Sequence, residues 1–419
     1  MPAVSSRRRP ALAQNEQSGR RHKPDYWLVV ISTLLLAIGL IVVYSISPGL
    51  AVEREVPQSY FINRQLIAVA LGVVAFLIIA KLPLATWKHM QIPLLVVAAV
   101  AAVGVRIFGE EVNGAYRWIQ LGGFSFQAAE LIKFALLVWA AGFLSSRYRE
   151  GTLGDFRQTL WPLLALLGVI GLVVGGLQSD FGSMVVMYAI IGAMAIVACM
   201  PMKRIAMFGV VVALLAAVAI IPSDYRQQRI ATFFNPAQDC LDAGYQTCQA
   251  LNAVGSGGLS GLGLGRSVQA YGYLPEAEND SIFAIYAEKF GFIGVAVLLA
   301  LFMALFMRIR RVMDRAPNMF ARLLVMGVFV WLSVQAIINI GAMLGLLPLK
   351  GITLPFISYG GTSILFVMAA LALVFHISRY TLYSIPEETG QIDGGSGHDY
   401  RGDRRRVRGA YHPNTGRRA

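Results

Sequence analysis

The sequence predicts an all-α polytopic membrane protein with about ten transmembrane helices, each long enough to cross about 30 Å of hydrocarbon. Two observations carry that prediction. Of 419 residues, 56% are hydrophobic and only 14% are charged, and the mean hydropathy is +0.61, so water is the wrong solvent for most of this chain. The apolar residues also gather into runs of roughly 20, separated by polar connections. These runs place spans at 27–47, 64–82, 91–108, 128–146, 160–177, 181–200, 205–221, 282–307, 321–345 and 361–381.

The connections give the orientation. Arg7, Arg8, Arg9, Arg20, Arg21 and Lys23 precede the first run, and no small-residue cleavage site follows it, so it reads as a retained span. With that end inside, the even-numbered connections are cytoplasmic. They hold Lys81 and Lys88, then Arg147, Arg149 and Arg157, then Lys203 and Arg204, then Arg308, Arg310, Arg311 and Arg315, as the positive-inside rule requires. The net charge of +13 therefore records topology rather than nucleic-acid binding. Both termini become cytoplasmic, including Arg404, Arg405, Arg406 and Arg408. The chain divides into a basic N-terminal tail (1–26), a membrane domain (27–382) and a C-terminal tail (383–419) whose Gly, Arg and Asp content predicts disorder.

The outer connections differ. Residues 109–127, 222–281 and 346–360 are long or rich in Gly and polar residues, and loops of such length are commonly functional. The extracytoplasmic loop 222–281, between the seventh and eighth spans, contains apolar and aromatic residues throughout and is expected to fold against the membrane domain. The three cysteines show no CxxC spacing and so fit neither a zinc site nor a disulfide scaffold. Cys199 is expected to be buried in the sixth span. Cys240 and Cys248 share the outer loop, where a disulfide and a pair of free thiols are both open.

Within that loop, the glycine-rich stretch 255–267 has no Lys-Ser or Lys-Thr and no strand-to-helix setting, so it is not an ATP-binding loop. A backbone cradle for a lipid-borne phosphate and a plain turn both remain. The acidic cluster Glu276, Glu278 and Asp280 stands at the mouth of the eighth span. Asp280 there reads either as a helix cap or as a reactive carboxylate. In the fourth span Glu130 and Lys133, three apart, share a helix face, and ionisable groups inside a span mark sites by default, although a self-compensating pair is the alternative. Further polar insertions are Gln178-Ser179-Asp180 and Ser358-Tyr359-Gly360-Gly361-Thr362-Ser363.

Taken together, the motifs resemble those of the FtsW/RodA (SEDS) family. The resemblance rests on Arg117-Trp118, Gln127-x-x-Glu130-x-x-Lys133, Gln178-x-Asp180-x-Gly182 and Arg226-x-x-Arg229-x-x-x-Phe233-x-x-Pro236. It continues through Gly244-Tyr245-Gln246, Gly255-Ser256-Gly257-Gly258, Leu274-Pro275-Glu276, Ile282-Phe283-Ala284 and Pro355-Phe356-Ile357-Ser358-Tyr359-Gly360-Gly361. Lys350-Gly351-Ile352-Thr353-Leu354-Pro355 is similar to the division branch, FtsW, more than to the elongation branch, RodA. The sequence departs from the family at Ala128-Ala129, where Pro-Ser is usual, and at Glu278-Asn279-Asp280-Ser281, where His-Thr-Asp-Phe is usual.

The resemblance implies the SEDS fold and an inverting peptidoglycan glycosyltransferase that polymerises lipid II at the septum of the bacterial plasma membrane. It implies a class B penicillin-binding protein as transpeptidase partner, alongside other division proteins. Asp280 is then the catalytic base. Arg117, Glu130, Lys133, Gln178, Asp180, Arg226, Arg229, Ser358 and Tyr359 are candidates to bind substrate and its diphosphate, with a divalent cation (Mg or Mn) as possible cofactor and no assigned metal ligands. A lipid II flippase or a non-catalytic division scaffold are the alternatives. The topology makes a direct prediction. In a Cys199→Ala background, a membrane-impermeant maleimide should label Ser260→Cys in intact cells, and Lys203→Cys only after permeabilisation; the reverse pattern would invert the topology.

Overall fold

The computed structural model describes residues 20–112, 115–121, 124–220, 233–234, 240–242 and 244–381. The two tails beyond these limits, with Arg226 and Arg229, lie outside the described residues. Helices α1 (Tyr26–Glu53), α2 (Tyr60–Ile79), α3 (Leu84–His89), α4 (Gln91–Phe108) and α5 (Ala128–Glu150) come first. Then follow α6 (Trp161–Ile170), extended at both ends by π-helical turns over Phe156–Leu160 and Gly171–Leu177, α7 (Phe181–Val197), α8 (Met202–Ile220), α9 (Tyr245–Ser256), α10 (Ile282–Asp314), α11 (Met319–Met343) and α12 (Gly361–Ile377). Seven of the helices are long and apolar enough to cross a membrane; α7 and α12 are shorter apolar helices.

Local chemistry sets the helix ends. Asp25 accepts from Trp27 N–H at 3.0 Å to begin α1, Asp180 from Ser183 N–H at 3.0 Å to begin α7, and Asn318 from Ala321 N–H at 2.9 Å to begin α11. Gly151 closes α5 in the left-handed region, with φ 71°. The most apolar window of α5 is 83% buried and that of α11 61%, against 17% for α2 and α4, so α5 and α11 lie centrally beside the largely buried α12, and α2 and α4 face outward. Cys199 is exposed, contrary to expectation. Helix α7 stops at Val197, and the left-handed turn at Cys199 (φ 64°) carries its thiol away from the core.

The apolar pattern does not reveal the strands. Three strands form an antiparallel sheet in the order β2 (Glu110–Val112), β3 (Ala115–Leu121), β4 (Phe124–Gln127), with Trp118 opposite Gln127. A two-residue ribbon pairs β1 (Arg20–Arg21) with β5 (Tyr380–Thr381). Next to it His22 N–H donates to Arg379 O at 2.8 Å, and Asp25 N–H to Ser378 Oγ at 3.0 Å. The segment before the first span thus lies beside the segment after the last, which requires an even number of crossings between them.

The outer loop folds onto a break in α10. At Gly291 the backbone turns to φ 63°, ψ −166°. The glycine-rich stretch crosses there: Leu262 N–H donates to Glu288 O at 2.9 Å, Gly263 N–H to Lys289 O at 3.0 Å, and Phe292 N–H to Gly258 O at 2.9 Å. A side chain at Gly291 would meet the backbone of Leu259 and Gly261. The glycines serve backbone-to-backbone approach, so this stretch satisfies the amides and carbonyls that the break sets free. Two buried charges reinforce it. Glu288 accepts from Ser267 Oγ at 2.5 Å and from the N–H groups of Val268 and Gln269, and Lys289 Nζ donates to Leu264 O at 2.8 Å. Cys240 and Cys248, 5.7 Å apart at Cα, are joined as a disulfide next to α9. Gly291→Ala should cost about 2–3 kcal/mol through φ strain and the blocked approach, read as a lowered Tm of the detergent-solubilised protein; an unchanged Tm would refute this account of the break.

Candidate active site

The polar candidates collect at one end of the helices, where α5, α7, α10 and α12 begin and α11 ends. Glu130 and Lys133 are both buried in the first turns of α5 and form an ion pair at 2.6 Å. Lys133 Nζ also donates to Gln335 Oε1 at 3.2 Å, which in addition accepts from Trp331 Nε1 at 2.8 Å. Gln335 Nε2 donates to Thr353 O at 2.9 Å, and the Thr353 hydroxyl lies 3.0 Å from that of Ser363. The pair is therefore wired through α11 to the loop 346–360 and the start of α12. An unpaired charge so deep would be strongly destabilising.

Four residues further along α11, on the same face, Asn339 donates 2.7 Å bonds to Asp280 O and to Ile352 O. Asp280 stands two residues before the start of α10, and Ser281 occupies the cap position. Its carboxylate, 8% exposed, faces Gly351: a Cβ there would lie 3.8 Å from Asp280 Oδ2 and 3.6 Å from Arg117 Nη1. Carboxylate and guanidinium thus both approach residue 351 at ordinary contact distance.

Arg117, on β3, is oriented by the turn before α7, donating from Nη2 to Ser179 O at 2.6 Å and from Nε to Gln178 O at 3.4 Å. Ser179 takes φ 51° in that turn. Asp180 caps α7 and accepts from Gln127 Nε2 at 3.4 Å, while Gln127 N–H donates to Thr362 Oγ1 at 3.1 Å. Ser358 Oγ donates to Asn279 O at 2.6 Å, and Tyr359 N–H to Glu278 O at 2.8 Å. Burial pushes the Tyr359 phenol up despite the Arg64 guanidinium beside it. Burial likewise pushes the Glu278 carboxyl up, partly offset by its ion pair with Arg54.

The structure brings Asp280, Arg117, Gln178, Asp180, Ser358 and Tyr359 into one region and links Glu130 and Lys133 to it. Sequence inspection missed Gln335 and Asn339. Two amides four residues apart inside an apolar run are a signal that could have found them. Gln127 entered only as part of a motif, and Arg54 was missed.

An apolar helical bundle with a buried polar network gathered at one end defines a multi-pass membrane protein whose chemistry occurs at the membrane surface. The family described as "Cell cycle protein", FTSW_RODA_SPOVE, matches residues 26–383, and the chain belongs to this FtsW/RodA/SpoVE family. A Hydrogenovibrio crunogenus protein named "Probable peptidoglycan glycosyltransferase FtsW" is 38% identical over 381 residues, 90% of this chain and 97% of its own length. "Stage V sporulation protein E" of Bacillus subtilis is 37% identical over 366 residues, covering 87% and 99%. Among solved structures, a chain from "Structural coordination of polymerization and crosslinking by a peptidoglycan synthase complex" superposes with a TM-score of 0.69 at 27% identity, over 85% of this chain and 98% of that one. Rod shape determining protein RodA of Thermus thermophilus gives 0.62 at 26% identity, over 85% and 97%.

Lys133→Met, which strands the Glu130 carboxylate, should destabilise the protein by about 3–5 kcal/mol, and the double change Lys133→Met with Glu130→Gln should recover much of that loss. Thermal unfolding of the three proteins checks this; additive losses would mean the two side chains are not coupled.

Proposed function

We propose that this protein is an inverting peptidoglycan glycosyltransferase that polymerises lipid II into glycan strands for septal cell-wall synthesis. The observation that carries the reading is that the Asp280 carboxylate and the Arg117 guanidinium both lie beside Gly351. The acceptor sugar 4-hydroxyl gives its proton to the Asp280 carboxylate as its oxygen bonds to the anomeric carbon of the donor. The bond from that carbon to the diphosphate breaks on the opposite face, and its electron pair leaves with undecaprenyl diphosphate. A diphosphate departs as a stable anion and requires charge stabilisation rather than protonation.

Arg117 is placed to supply that stabilisation. The N-termini of α5, α7, α10 and α12 add partial positive charge at the same end of the helices. Lys133 is held by Glu130 and Gln335, and its role is to tie α5 to the Thr353 loop rather than to meet the phosphates. Gln178 and Asp180 orient Arg117 and Gln127. Ser358 and Tyr359 hold the turn that carries Asp280. Arg226 and Arg229 remain further candidates for the diphosphate. Among the described residues no three His, Cys, Asp or Glu side chains come together as a metal cage, and no step is assigned to a divalent cation.

An apolar cavity of about 280 Å³ between α7 and α8, lined by Met184, Tyr188, Phe208 and Val212, supports a place for a polyprenyl chain within the bilayer. The likeness to a chain from a synthase complex that couples polymerisation to crosslinking supports a class B penicillin-binding protein as partner. The relatives named FtsW support the septum as location. A flippase would need an ionisable path through the membrane. The Glu130–Lys133 pair instead sits in the first turns of α5, bonded to the outer loop, which favours polymerisation.

Asp280→Asn should lower glycan synthesis from purified lipid II by at least about 10²-fold while leaving the Tm unchanged. Strands made at the wild-type rate by this variant would remove the assignment. Translocation of lipid II without polymerisation by the wild-type protein would favour the flippase.

A further inference from the structure

Asp280 and Glu278 stand two residues apart in one turn and meet different walls. Asp280 lies beside Gly351, as Arg117 does. Glu278, 1% exposed, pairs through Oε1 with Arg54 at the outer end of α1, and its Oε2 has no partner among the described residues. Arg54 supplies the main compensation for a buried carboxylate, beside a backbone hydrogen bond. The guanidinium is itself guided, lying over the ring of Phe61 of α2 at 5.5 Å. Phe61 in turn meets Tyr359 edge-to-face at 5.5 Å, and Tyr359 N–H holds Glu278 O. The Arg54 side chain keeps 46% of its surface exposed, so the pair sits at the margin of the site rather than deep in the core.

We propose that Glu278, through its ion pair with Arg54, is a positioning residue that holds the Asp280 turn against the outer ends of α1 and α2, so that polymerisation requires this pair as well as the Asp280 carboxylate. This rests on the reading of Asp280 as the base. The turn is bonded to the 346–360 loop and α11 through its backbone, and the Arg54–Glu278 pair ties it to α1. With the pair broken, the turn keeps its fold and loses its reference to α1, and a small displacement of a base is enough to slow proton transfer.

The groups that face Glu278 are Arg54 and Glu53 from the end of α1, Glu276 from its own turn, and Tyr359, which Arg64 of α2 contacts on its other side. Burial, Glu276 and Glu53 all disfavour the charged carboxylate, and Arg54 opposes them. As pH falls, the pair is lost at a pH above the ordinary carboxylate range, before an unperturbed carboxylate would protonate.

The test is the pH dependence of kcat for lipid II polymerisation by the full-length protein in wild-type, E278Q, R54M, R54K and D280N forms. E278Q removes the Glu278 titration, so its acid limb should move to lower pH. R54M leaves no pair for protonation to break, so its acid limb should move to lower pH as well. R54K should stay near wild type. At the plateau both E278Q and R54M should lose about ten-fold in kcat with KM unchanged, as misplacement of a base predicts. A purely structural role would scale activity with the folded fraction and leave the acid limb in place, and that result would overturn the proposal, as would shifts of opposite sign in the two variants. If E278Q does not fold, the R54M shift alone decides. An active D280N would instead bring down the reading of Asp280, whatever the other variants do.

Discussion

Three successive carbonyls hold this site together. The oxygens of Glu278, Asn279 and Asp280 each accept a bond from outside their own segment: from Tyr359 N–H at 2.8 Å, Ser358 Oγ at 2.6 Å and Asn339 Nδ2 at 2.7 Å. A turn at the mouth of a helix would ordinarily leave such groups to water. Here the loop 346–360 and α11 take water's place, and the backbone that carries Asp280 has few other conformations available. Electrostatic catalysis depends on groups that need not reorganise when charge develops, and this triple attachment provides that condition.

The buried charges follow a common plan. Lys133 is compensated by Glu130 and an amide, Glu288 by a hydroxyl and two backbone N–H groups, and Lys289 donates to a carbonyl. The Lys133 set joins α5 to α11, and the Glu288 and Lys289 sets join α10 to the outer loop. Charges of this kind gain little net stability over apolar side chains of similar volume. Their contribution is geometric, because each fixes which segment sits beside which helix.

Much of this was legible from the residues. Long apolar runs gave the helices because a bilayer leaves few alternatives, and Asp280 stood out as a carboxylate at the head of such a run. The i, i+3 spacing of Glu130 and Lys133 gave their contact directly. Other features depend on tertiary proximity. Nothing local to Arg117 says that a strand carries it towards Asp280, and nothing local to Gly351 says that both side chains lie beside it. The break in α10 was hidden because the apolar run continues through Gly291, and the glycine-rich stretch looked like a cradle until its neighbour was known. Cys199 was misjudged because a position at the edge of an apolar run says little about which way a turn directs its side chain.

The ribbon joining Arg20–Arg21 to Tyr380–Thr381 bears on how the protein is made. The first strand precedes every helix in the chain and its mate follows them all, so the edge of β1 must wait unclaimed while the helices enter. Assembly closes only when the final span arrives beside the first. A nascent chain arrested before that point has no seam to seal, and this gives cellular quality control a simple mark by which to distinguish unfinished copies from complete ones.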